Sequence, residues 1–194
     1  MEFFSIALTL FLIMDPFGNI PIFIPILEKV RPERRRKVMI RELFLALVVI
    51  VVFIFSGKYL MSLLSLRQES VAIAGGLILF LIAVKMVFPS HDTEIRKDME
   101  DEPLLVPMAV PLMAGPSMLA VLLLFASSGN PPLLELLLAA FLAWAGSFIV
   151  LVSSTYLFRF FAKRGLAAME RLMGMVLVVL AVQLFLDGLT TYLK

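Results

Sequence analysis

The residues of this chain whose types and spacing could do chemistry are Asp15 and Asn19. They are set with Pro16, Gly18 and Pro21 in the run Met14-Asp15-Pro16-Phe17-Gly18-Asn19-Ile20-Pro21, midway along an otherwise apolar stretch from Phe3 to Ile24. An ionised Asp at the centre of a bilayer costs about 2.5 to 3.5 kcal/mol on insertion scales, and Pro and Gly release backbone groups that lipid cannot satisfy. Such a combination is expected where a broken helix lines a cavity. Asp15 can cap a half-helix beginning at Pro16, a position where the missing N–H does no harm. Gly18 allows close backbone approach, and the Asn19 amide both donates and accepts. A second cluster, Gly115-Pro116-Ser117, closes the Pro- and Gly-interrupted segment Pro107 to Ser117. Face to face, the two would offer positive helix ends to a carboxylate, and carbonyls with Asp15 to an ammonium group. Few polar groups converge and large apolar side chains flank them, so the implied ligand is small. The simpler alternative is that Pro and Gly kink two packed helices and Asp15 caps one of them.

The elements that must position these residues are membrane spans. Hydrophobic residues make up 61% of the chain and charged residues only 16%, against about 25% charged in a soluble domain; the mean hydropathy is +1.02. The charges bunch and leave six apolar segments, roughly 3 to 24, 39 to 57, 70 to 88, 104 to 126, 133 to 158 and 171 to 192. Each is long enough to cross about 30 Å of hydrocarbon as a helix, whereas barrel strands alternate over about 10 residues. The predicted fold is therefore an all-α membrane protein. Segment one follows no basic region and holds no small-residue cleavage site, so it is expected to be a true span and not a removable leader.

Thirteen of the 17 basic residues lie on one side, in the connection Lys29 to Lys37 with Arg41, at Arg96 and Lys97, and from Arg159 to Arg171. By the positive-inside rule that side is cytoplasmic and both termini are periplasmic. The basic pI near 9.0 is explained by this orientation and implies no nucleic-acid partner. With no Cys, the chain holds no disulfide framework or thiolate metal site, and no cofactor is expected. The single His, His91, falls in an acidic connection and reads as a solvated residue.

The two halves echo each other at a shift of about 97 residues. Ser56-Gly57-Lys58-Tyr59-Leu60 aligns with Ser153-Ser154-Thr155-Tyr156-Leu157, Gly76 to Lys85 with Gly174 to Gln183, and Pro16 and Pro21 are spaced like Pro111 and Pro116. Three spans reverse direction, so the halves would be inverted repeats, with spans one and four broken. The expected organisation is residues 1–88 as the first repeat, 89–103 as a cytoplasmic loop and 104–194 as the second repeat. Gln183 and Asp187 share one face of span six and are weaker site candidates. Gly75, Gly76, Gly146 and Ser147 read as close helix contacts.

At Asp15-Pro16-Phe17-Gly18-Asn19-Ile20-Pro21 the chain resembles the MarC family of bacterial inner-membrane proteins. The similarity extends through Arg34-Arg35-Arg36, Arg41-Glu42-Leu43, the Pro111 to Pro116 region and Glu170-Arg171-Leu172-Met173-Gly174. The resemblance implies six spans and a link to the transport of small neutral amino acids such as glycine and alanine. Carried over by position, the matching motif residues are Asp15, Gly18, Asn19, Gly115, Pro116 and Ser117. The expected function is ion-coupled secondary transport by alternating access, with a proton or sodium ion as the coupling partner and Asp15 as the central carboxylate. A channel for ions or small solutes would use the same broken helices, and a membrane partner protein without transport activity is a further reading. Catalysis is not expected: an intramembrane serine protease needs a base beside its Ser, an aspartyl type needs two central Asp residues, and there is no P-loop. Small-residue faces on spans three and five permit packing within a subunit or between copies in a homo-oligomer.

Overall fold

The computed structural model describes residues 3–28, 30–88, 113–129, 131–160 and 163–193. Among these every regular element is a helix: α1 (Phe3–Met14), α2 (Pro16–Glu28), α3 (Pro32–Leu63), α4 (Gln68–Val87), α5 (Pro116–Ser128), α6 (Leu133–Phe160) and α7 (Lys163–Tyr192). The apolar stretches containing α1 with the start of α2, α3, α4, α6 and α7 are each long enough to cross a bilayer, and α5 is a shorter apolar helix of 13 residues. The loop expected at 89–103, with His91, and the first half of span four, with Pro107 and Pro111, lie outside the described residues.

Surface and core follow membrane logic. Large apolar side chains such as Phe4, Val48, Phe55, Leu81, Ile149 and Val179 face outward, where lipid tails and not water are the neighbours. Inside, α3 presents Met39, Leu43, Ala46, Ile50, Ile54, Gly57 and Met61 at three- and four-residue spacing, which puts them on one helix face. The basic run Arg34-Arg35-Arg36-Lys37, read from sequence as a connection, instead forms the first turns of α3. Pro32 starts that helix at a position where its missing N–H is harmless, and Arg, Lys and Glu are good helix formers. At 32 residues, α3 is about 48 Å long, so its basic end extends beyond the hydrocarbon layer.

The most extensive contact joins α4 to α7. Gly76 meets the Ala181 carbonyl and Phe185, Gly174 meets the Ala83 carbonyl with Met86 and Val87, and Gly188 meets Glu69, Ala72 and Ile73. Partner numbers fall as the others rise, so the two helices run antiparallel. A Cβ built on Gly76 would lie 2.8 Å from the Phe185 nitrogen and 2.9 Å from the Ala181 oxygen. Only glycine lets these backbones approach so closely, in agreement with the role expected of this position. Gly75 likewise meets Ala120 of α5. Around this pair, α1 and α2 pack against α6, α3 packs against α5 and α6, and α5 also packs against α4.

Candidate functional site

The helix break falls where the residue types predict it. α1 ends at Met14, Asp15 turns the chain with φ 42°, and α2 begins at Pro16. Positive φ is rare outside glycine, but Asp tolerates it because its short polar side chain bonds locally. Asp15 serves both helices. Its N–H donates to the Phe11 and Leu12 carbonyls at 3.2 and 3.0 Å, and its own carbonyl accepts the Asn19 N–H at 3.1 Å. Its carboxylate Oδ1 accepts the Gly18 N–H at 3.1 Å, the bond of an N-cap. The Asn19 side-chain Nδ2 returns to the Met14 carbonyl at 2.9 Å. Asp15 and Asn19 are 7% and 6% exposed, so these bonds satisfy helix-end groups that would otherwise stand buried and open. A Cβ on Gly18 would collide with the Asp15 carboxylate and the Met86 methyl. Glycine leaves room for both side chains to pack against the turn, the close approach that the sequence suggests.

The break is seated against α6. The Ser147 hydroxyl donates to Met14 Sδ at 3.5 Å, and Gly146 leaves room for the Phe11 ring, which a Cβ there would approach to 3.2 Å. Both act as packing positions. Glu170 of α7 adds a second carboxylate within electrostatic reach of Asp15. Thus two segments more than 150 positions apart, the Asp15 motif and the Glu170 segment, meet in the fold.

The second cluster has a different character. Gly115 is the N-cap of α5 with extended backbone and makes no side-chain cap bond, and Pro116 follows in the first turn. The Gly115 carbonyl accepts the Leu119 N–H at 3.0 Å. Ser117 is buried while Pro116 is exposed. Asp15, Gly18 and Asn19 thus form one bonded unit; Gly115, Pro116 and Ser117 form the start of another helix, and α1 and α5 are in contact. Gln183 and Asp187 stand on the exposed face of α7, away from the break. An open pocket of about 170 Å³, lined by Ile54, Phe55, Lys58, Ala126 and Gly129 among others, contains none of the site residues expected from sequence.

Sequence comparison agrees with this architecture: the family model described as MarC family integral membrane protein matches residues 1–193. The chain belongs to the MarC family. It is 46% identical over 194 residues to the UPF0056 inner membrane protein YhgN of Escherichia coli (strain K12), covering 100% of this chain and 98% of that protein. A UPF0056 membrane protein of Buchnera aphidicola subsp. Schizaphis graminum is 45% identical over 193 residues, with 100% and 98% coverage. One from Chlamydia muridarum is 32% identical over 190 residues, with 97% and 93% coverage. No solved structure matches the chain. This MarC protein is thus a multi-pass helical membrane protein.

Two residues that sequence reasoning passed over also belong to the core around the break. Trp144 of α6 donates its indole N–H to the Leu43 carbonyl of α3 at 2.8 Å. Beside Leu43, Glu42 is buried to 3% exposure. The sequence names Glu42 only within Arg41-Glu42-Leu43, and its place on the inner face of α3 is what marks it.

Proposed function

We propose that this MarC protein is a secondary transporter of small neutral amino acids such as glycine or alanine, ion-coupled and working by alternating access in the bacterial inner membrane. The observation that carries this reading is the buried, polar break between α1 and α2 within a membrane span. Intramembrane polar groups of this kind are costly and are characteristically functional. The start of α5 supports it further: an N-terminus with no side-chain cap is suited to a substrate carboxylate. On this reading Asp15, Gly18, Asn19, Gly115, Pro116 and Ser117 form the substrate site. The inner-membrane location is drawn from the names of relatives.

Alternating access between inverted three-helix repeats is supported by paired contacts. The contact of Gly76 with Ala181 and Phe185 becomes that of Gly174 with Ala83 and Val87 when every number is shifted by 98. The packing of α1 and α2 on α6 has a counterpart in α5 on α3. Antiparallel α4 and α7 are what a pseudo-two-fold axis in the membrane plane requires of corresponding helices.

The test is counterflow of labelled glycine and alanine into liposomes holding the purified protein. Internal unlabelled substrate should accelerate entry of label, with saturation. Entry unaffected by internal substrate would favour a channel, and no entry above empty liposomes with folded protein would overturn transport of these substrates.

A further inference from the structure

Glu42 is the one described acidic side chain that combines deep burial with an oxygen left without any partner. Oε1 pairs with the neighbouring Arg41 at 2.8 Å, and Arg41 is half exposed. Oε2 is shielded from solvent and accepts no hydrogen bond. A buried carboxylate oxygen is an acceptor of high capacity, and leaving it unpaired is costly. Asp15 differs, because its bonded oxygen caps backbone, the Gly18 N–H, whereas Glu42 Oε1 is held only by a half-exposed side chain.

The position of Glu42 relative to the break can be read along α6. Trp144 bonds Leu43, next to Glu42, and Ser147 bonds Met14, next to Asp15. Those α6 residues are three apart, about 4.5 Å along a helix axis. The two carboxylate-bearing segments are therefore bonded to positions one turn apart on the same helix. The helices packed on α3 are α2, α5 and α6. Of these, α5 carries no titratable residue, while Glu28 of α2 and Glu135, Tyr156 and Arg159 of α6 sit in the end turns of their helices. On α3 itself, Arg41 is the charged group paired with Glu42.

We infer that Glu42 binds a small monovalent cation, a proton or a sodium ion, through Oε2, and that this carboxylate is the ion-coupling site of the transporter. Either cation neutralises the buried carboxylate charge, and a sodium ion also supplies the partner that Oε2 lacks. Arg41, reaching Glu42 from the half-exposed side of α3, is the competing cation. The coupling role rests on the transport reading above, whereas cation binding does not.

Trp144 is the single Trp of the chain and is bonded to the peptide beside Glu42, so its fluorescence reports the site without any transport measurement. The purified protein is titrated with acid in sodium-free choline buffer, and separately with sodium chloride against choline chloride at fixed pH. One titration should give a saturable change in Trp144 emission. Glu42→Gln should remove it, and Asp187→Asn, on the exposed face of α7, should keep it. A wild-type protein that responds to neither cation, or a Glu42→Gln protein that responds as the wild type does, overturns the inference. If Glu42→Gln does not elute as folded protein, Arg41→Gln takes its place. Removing the competing guanidinium should lower the half-saturating cation concentration about two- to five-fold, as expected for loss of a partly exposed ion pair; an unchanged value overturns the inference. Counterflow without a Trp144 response would refute cation binding at Glu42 and leave transport standing, and a response without counterflow would do the reverse.

Discussion

Replacing Asp15 by Ala and by Asn separates its charge from its bonding. Both substitutions remove a buried charge, so the difference between them isolates what the side chain does for the backbone. Asn caps helices as well as Asp, and it too tolerates a positive φ, so Asp15→Asn keeps the Gly18 bond and the turn at φ 42°. Ala keeps neither. Loss of the cap costs about 1 kcal/mol, and holding a non-polar residue at positive φ adds roughly 1 to 2 kcal/mol, so Ala should lie about 2 to 3 kcal/mol below Asn. For a chain of this size that is an apparent melting midpoint lower by roughly 4 to 12 °C, read from Trp144 emission in detergent. Gly18→Ala extends the test. Its Cβ would strike the Asp15 carboxylate and the Met86 methyl, an overpacking cost of about 1 to 3 kcal/mol. In the Asp15→Ala background the carboxylate is gone and a flexible Met remains. The double variant should therefore be less destabilised than the two single changes added together, by about 0.5 to 2 kcal/mol. Equal midpoints for Asp15→Ala and Asp15→Asn would refute the capping argument, and strict additivity would refute the packing one.

The remaining predictions concern the frame around the break. Gly76→Ala and Gly174→Ala each press a methyl onto backbone of the facing helix; each should cost about 1 to 3 kcal/mol, seen as a lowered midpoint and, for alternating access, slowed counterflow. Gly146→Ala meets only the edge of the Phe11 ring at 3.2 Å and should cost less than either under the same assay. Trp144→Phe removes the bond to the Leu43 carbonyl while keeping an aromatic ring against Phe44 and Phe148; a loss of about 0.5 to 1.5 kcal/mol is expected, followed by circular dichroism because the fluorophore is gone. Gln183→Leu, on the exposed face of α7, should leave counterflow unchanged, and its loss would return Gln183 to the site.

The break was legible in the sequence because its chemistry is local. An Asp before a Pro, with Gly three positions after the Asp, specifies a cap, a helix start and a close approach within one turn, and the structure shows all three. Charge patterning was less informative about secondary structure. The run Arg34 to Lys37 does not mark a connection between helices but lies within α3, since the same residues favour helix in water. What could not be read locally is which carboxylates are brought inside. Glu170 and Glu42 each sit beside an Arg in sequence, which reads as a solvated pair at a membrane edge. Helix phase decides otherwise for Glu42, three residues after buried Met39 and four before buried Ala46. Gln183 and Asp187 show the opposite outcome, because sharing a face of α7 says nothing about which way that face points until α4 is seen to occupy the other side.

The two buried carboxylates are suited to different work, and the difference lies in what holds them. Asp15 is held at both ends of a chain reversal. Its backbone closes α1, its Oδ1 opens α2, and Asn19 ties the turn back to Met14. Displacing that carboxylate would open backbone groups in a medium that cannot satisfy them, so its movement is coupled to the geometry of the break itself. Glu42 stands on an unbroken helix with one oxygen orphaned and the other shared with a half-exposed Arg. It can gain or lose a cation without any backbone bond being broken. An ion-coupled carrier needs both kinds of group: one whose contacts define the shape of the site, and one whose occupancy can change within that shape. On the inference above, the bonds of α6 to the residues beside them, Ser147 to Met14 and Trp144 to Leu43, would link the two groups through one helix.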